Sequence, residues 1–115
     1  MGAKMEEKKK SEKNKEDNFL VSLIELLCEV EAHVKIANSV GINLYELEEK
    51  YIVIIKSLLE KQYGEDITGI ILWWVFESIT PDGEQMSLRM EEDGKEHKIK
   101  TPQQLVKFIK KYNGN

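Results

Sequence analysis

Cysteine is almost absent from this chain: Cys28 stands alone among 115 residues. An internal disulfide is therefore excluded, as is a Cys-rich metal domain, and a reducing, cytosolic compartment is the expectation. No stretch approaches the roughly 20 apolar residues that cross a bilayer, so no membrane is expected as a partner. The N-terminus lacks the apolar core of a signal peptide. Histidine is nearly as scarce. Only His33 and His97 occur, and neither sits in a Ser, Cys or Asp motif that would mark a nucleophile and its base. There is no Gly-rich loop to cradle a phosphate. Neither catalysis nor a cofactor is expected.

Charge is plentiful but unevenly placed. Residues 1–17 hold six Lys and five Asp/Glu, a net of +1. The remaining 11 basic and 16 acidic residues leave a net of −5. The tail has almost no apolar side chain to offset its ordering entropy, so residues 1–17 are expected to be a disordered charged tail. Residues 18–115 are long enough for one small domain with one core. Its acidic balance favours basic partners over nucleic acid.

Residues 18–40 read as an amphipathic helix. Leu20, Leu23, Leu27, Val30, Val34 and Ala37 follow 3–4 spacing. Asp17 or Asn18 is expected to cap its start and Gly41 to end it. Phe19, Leu26 and Ile36 widen the expected buried face. In "GINLYELEEKY", Asn43 is the expected N-cap of a second helix. Glu46 completes a capping-box-like arrangement, and Ile42 with Leu47 forms a staple. This helix runs to about Tyr63, with Leu44, Leu47, Tyr51, Ile54 and Leu58 as its expected core stripe. Two such stripes joined by a short connection predict a helical hairpin.

"GIILWWVFES", residues 69–78, contains seven apolar residues in a row. Its β-branched and aromatic content favours a strand; its length and a capping Asp66 favour a helix. The helix is the adopted reading, with Ile67, Ile70, Ile71, Trp74 and Val75 on one face. Adjacent helical residues diverge by about 100°. Trp74 is therefore expected inside and Trp73 at an edge. "ITPDGEQ" reads as a turn around Pro81 and Gly83. "MSLRMEEDGKEHKIK" reads as a β-hairpin about Asp93-Gly94, pairing Met90 with His97 and Leu88 with Ile99. That register gathers Met86, Leu88, Met90 and Ile99 on one side. A last helix begins at a Thr101–Gln104 capping box with Pro102 at its first position. The fold class is thus α+β: a helical hairpin, a central aromatic helix, a β-hairpin and a C-terminal helix.

Two patterns in the chain suggest chemistry. Glu29 and His33, four apart, with the distant His97, could bind a metal, but such spacings arise by chance and no metal is expected. Ala37, Gly41, Ile42 and Leu47 match the spacing of a helix-turn-helix across residues 36–51. Lys50 stands where that motif buries an apolar residue, and Glu46, Glu48 and Glu49 would face phosphates. The stretches "ILWWVFE", "EDGKE" and "KTPQQLVKFI" make residues 44–112 resemble small uncharacterised accessory proteins of tailed bacteriophages. That resemblance implies a host-cell cytoplasmic setting and a host-modulating role. It implies no activity and assigns no functional residue. The expected function is a non-enzymatic, regulatory protein-binding module. Trp73, Phe76, Glu46, Glu48 and Glu49 are its candidate contacts, and a homodimer across Trp73 is a further expectation. The alternative is a nucleic-acid binder using residues 36–51 or the basic tails.

Overall fold

In the computed structural model, backbone is described for residues 2–112 and side chains for residues 15–111. Four helices and one antiparallel hairpin follow in order: α1 (Gly2–Ser39), α2 (Tyr45–Tyr63), α3 (Glu65–Ser78), β1 (Leu88–Glu92), β2 (Lys95–Ile99) and α4 (Pro102–Tyr112). The class is α+β. The tail expected to be disordered falls mainly on residues whose side chains lie outside this description. The described backbone of residues 2–17 belongs to α1. Asp17 and Asn18 therefore do not cap α1. Asp17 instead pairs with Lys110 and ties α1 to α4.

The end of α1 is a Schellman motif. Gly41, at φ 83°, donates its N–H to Asn38 O, and Ile42 donates to Ala37 O. At the start of α2 the Asn43 side chain does accept a backbone N–H, from Tyr45 at 2.9 Å. The cap position itself falls one residue later, on Leu44. A single glycine, Gly64, separates α2 from α3, at φ 90° and ψ 166°. That backbone region is essentially restricted to glycine. Gly64 also replaces Asp66 as the cap of α3; Asp66 lies inside the first turn, where a carboxylate suits the helix dipole.

The aromatic run is helical, as expected. Trp74 is fully buried while Trp73 is 48% exposed. The Trp74 indole N–H donates to Ile99 O at 3.1 Å and so pins β2 to α3. No basic residue occupies the last turn of α3. Its terminal carbonyls are satisfied from α1 instead. Lys35 Nζ donates to Phe76 O at 2.9 Å and to Ile79 O. The following turn holds Gly83 N–H to Thr80 O at 2.8 Å. A Cβ built on Gly83 would stand 2.6 Å from Ile36 Cδ1, so this turn rests directly on α1.

The hairpin has the expected register, with Leu88 opposite Ile99 and Met90 opposite His97. Asp93 and Gly94 both have positive φ, as a two-residue type I′ loop requires. Met86, placed inside by the sequence, is exposed because pairing starts only at Leu88. The Thr101–Gln104 capping box is present in both directions: Gln104 N–H donates to Thr101 Oγ1 at 3.2 Å, and Thr101 N–H to Gln104 Oε1 at 3.1 Å.

One core joins these elements. Ile24, Leu27, Leu59, Ile71, Trp74 and Leu105 are its most enclosed apolar members. The α1 stripe is where the sequence placed it, with Ile24 added and Leu23 and Val30 only half-buried. Phe19, Leu26 and Ile36 do not widen it; all three are exposed. The α2 stripe is displaced. Ile55 and Leu59 face the core at 7% and 1% exposure, whereas Leu58, expected inside, is 57% exposed. Leu47 and Ile54 lie outside with it, and Ile42 is exposed too, so no buried staple forms with Leu47.

Candidate interaction surface

Helices α1 and α2 run antiparallel. Glu16 and Asp17 lie near Gln62 and Tyr63 at one end, and Val30 and Val34 near Leu44 and Leu47 at the other. Between them opens a groove of about 400 Å³ whose floor is Val30, Val34 and Tyr51, with Leu26 and Leu47 on its walls. The walls continue beyond the groove. At about 100° per residue, Leu47, Ile54 and Leu58 fall within about 40° of one another on α2. On α1, Phe19, Leu23, Leu26 and Val30 fall within about 60°. Leu47, Ile54, Leu58 and Phe19 are each more than half exposed. Each helix thus has two apolar lines, one in the core and one on the flank bordering the groove. Its charged neighbours are Glu29 on α1, and Lys50 and Lys61 on α2, with Glu46 and Glu49 beside Lys50.

Behind the groove sits a polar cluster that sequence reasoning missed. Glu31 of α1 is buried and meets Lys35 Nζ at 3.6 Å. Glu48 reaches it from α2. Burial, then the hydrogen bond to Glu31 and the Glu31 charge, push the Glu48 carboxyl up to about 8, against a smaller opposing pull from Lys35. Burial and the Glu31 charge thus favour the protonated form of Glu48, the form that can donate to Glu31. The remaining oxygens, Glu31 Oε2 and Glu48 Oε2, are shut off from solvent, as is the Tyr51 hydroxyl. Lys35 is engaged by Glu31 and two carbonyls. The cluster bridges three elements and presents no free base. A spacing signal existed: Glu31 and Lys35 are four apart, and both interrupt the inner face of α1.

The sequence-derived contacts are scattered. Trp73 is exposed on α3, and Phe76 is half-buried, its carbonyl held by Lys35. Glu46 and Glu49 are exposed on α2, and Glu48 turns inward to Glu31. The Glu29–His33–His97 pattern is not assembled. His33 Nδ1 donates to the Glu29 backbone carbonyl at 2.6 Å, and His97 packs edge-on against Phe108 with ring centroids 5.8 Å apart. Among the described residues no group of three His, Cys, Asp or Glu side chains could hold a metal ion. Cys28 is buried. Desolvation, reinforced by Glu25, Glu31 and Glu29, pushes its thiol up to about 12, far from a reactive thiolate. Residues 36–51 form the bend of the helical hairpin. Among the described residues no helix is long and apolar enough to cross a membrane.

No family model matches this chain, and neither does any curated protein or solved structure.

Proposed function

We propose that this chain is a non-enzymatic protein-binding module, accessory or regulatory in role, whose main contact surface is the open flank of the α1–α2 hairpin. One observation carries the reading: Leu47, Ile54 and Leu58, seven and four residues apart and so on one side of α2, face solvent although the same helix already supplies Ile55 and Leu59 to the core. A second apolar line costs solubility and adds nothing to the fold unless something covers it. Trp73 offers a separate aromatic anchor on α3. The inert state of Cys28 and the full engagement of Lys35 fit a surface that binds and does not react. The resemblance of residues 44–112 to phage accessory proteins sets this module in a host cytoplasm, acting on a host protein.

The test is a double variant, Leu47→Asp with Ile54→Asp, first shown to be folded by far-UV circular dichroism. Both chains are then used as bait in host lysate and run alone in sedimentation. The variant is expected to lose an association that the parent makes, with a lysate protein or with itself. Identical captured sets together with identical sedimentation would overturn the reading.

A further inference from the structure

We propose that the open flank is covered by a second copy of this chain. The two hairpins would form a four-helix bundle about a twofold axis parallel to the helices. This rests on reading that flank as the contact surface, and it names the occupant.

Three features point to self-association. The first is the match between the two lines. Phe19, Leu23, Leu26 and Val30 on α1 follow 4–3–4 spacing, and Leu44, Leu47, Tyr51, Ile54 and Leu58 on α2 follow 3–4–3–4 spacing. Each spans about 15–20 Å of helix. Lines of this kind pack into one another at the shallow angle found in antiparallel bundles. A twofold axis along the helices lays α1 of one copy on α2 of the other, so every neighbouring pair in the bundle is antiparallel and each line meets the other kind.

The second feature is area. The exposed parts of Phe19, Leu26, Leu47, Ile54 and Leu58 offer on the order of 500 Å² per copy. Two copies bury about 1,000 Å² from these side chains alone, which reaches the size of a specific interface. An isologous contact needs one patch that complements itself, and this patch holds both lines.

The third feature is charge. Glu29 borders the groove at the level of Leu47, Glu48 and Tyr51, so Lys50 stands at that level on the outer edge of α2. The proposed axis preserves height along the bundle. It brings Glu29 of each copy beside Lys50 of the partner subunit, twice per dimer. The other twofold arrangement, perpendicular to the helices, would set α1 on α1 and α2 on α2. It would leave Glu29 facing its own kind of edge and lose both pairs.

Sedimentation equilibrium of the full chain tests this over a wide concentration range. A reversible monomer–dimer equilibrium is expected. Lys50→Glu and Glu29→Lys should each weaken it roughly tenfold, as two lost surface pairs and two new repulsions imply. The double reversal should recover most of that loss, and Ile54→Asp should abolish the dimer. Both charged residues are exposed, so circular dichroism is expected to be unchanged. A chain that stays monomeric throughout overturns the proposal. If lysate capture is still sensitive to Leu47→Asp with Ile54→Asp, only the identity of the occupant has failed. If capture is insensitive too, the contact surface itself has failed. A dimer indifferent to both reversals, or one not rescued by the pair, overturns the proposed axis.

Discussion

Truncating each of the two adjacent tryptophans should have very different costs. Trp74 has no solvent exposure, and its ring fills the junction of α3 with the hairpin. Trp74→Ala removes that packing, about 3–5 kcal/mol. It also leaves the Ile99 carbonyl without its indole donor, at about 1–3 kcal/mol if water cannot reach it. The sum approaches the whole stability of a domain this size, so the Ala variant should be largely unfolded. Trp74→Phe separates the contributions: most of the ring volume stays, the donor goes, and a loss of about 1–3 kcal/mol is expected. Trp73 is about half exposed, and among the described hydrogen bonds its indole N–H makes none. Trp73→Ala should cost about 1–2 kcal/mol, as an ordinary half-buried truncation does. Urea unfolding followed by far-UV circular dichroism measures all three without relying on the fluorescence that the substitutions remove. Equal losses for Trp73→Ala and Trp74→Ala would refute the reasoning, because they would place both rings in the core. If Trp73→Ala is stable yet loses a lysate partner, α3 is a contact element as well as a core element.

Three other substitutions probe different links. Leu59→Ala should cost about 2–5 kcal/mol and its neighbour Leu58→Ala less than about 1 kcal/mol in dilute monomer; reversed values in urea unfolding would restore the stripe read from the sequence. Gly64→Ala meets no atom within 4 Å, so any loss of stability is conformational; about 1–3 kcal/mol is expected for a side chain held at φ 90° and ψ 166°, and an unchanged melting temperature would mean that the α2–α3 joint relaxes freely. Glu48 titrates near its ordinary 4.5 when unfolded and near 8 when folded. Between those values the native state binds the extra proton, so its contribution is present at the acid end and is lost as pH rises through the window. The melting temperature should therefore fall from pH 5 to pH 8, and Glu48→Gln, which keeps a donor toward Glu31, should flatten that slope; a parent slope matched by the variant would assign it to other groups.

Local signals in the sequence located most of the architecture, because each is settled within a few residues. The Asp93-Gly94 pair tolerates two positive φ angles, and the faces of β1 and β2 admit only one register, so the turn and the pairing from Leu88 on are legible in the sequence, while the unpaired Met86 is not. The Thr101–Gln104 box and the Gly41 terminus are complete within six residues of chain. The divergence of Trp73 and Trp74 follows from helical geometry alone. What stayed hidden are the interactions that cross the chain. Lys35 caps α3 from 41 and 44 residues away, and nothing near either partner announces it. Three of the contact residues expected from sequence, Glu46, Glu48 and Glu49, are alike as charges on one helix. Only the fold separates the two exposed ones from Glu48, whose acid is held against Glu31.

The misplaced stripe on α2 has a physical cause, and the same cause links the polar cluster to the open flank. Periodicity shows that a helix has an apolar face; it does not show which of two adjoining lines meets the core. On α2 the inner line is Glu48, Ile52, Ile55 and Leu59, and the outer line is Leu44, Leu47, Tyr51, Ile54 and Leu58. A carboxylate heads the inner line, so a reader who keeps charge outside selects the outer one. Glu48 is held inward against Glu31, where burial and the Glu31 charge favour its protonated form, and Lys35 meets Glu31 from the other side. On α1, Glu31 and Lys35 interrupt the inner face in the same way. The domain thus gives its own core the line that carries Glu48, and it leaves Leu47, Ile54 and Leu58 of the other line exposed, with Leu44 and Tyr51 half-buried. A core that took Leu47 and Ile54 in exchange for Ile55 and Leu59 would trade apolar area about evenly, and it would free Glu48 from its desolvation and its unpartnered carboxyl oxygen. A rotation of α2 by about 90° would achieve it. That the helix does not rotate is explained if the outer line belongs to a second interface, with the buried acid pair and its lysine holding α2 in the register that presents it.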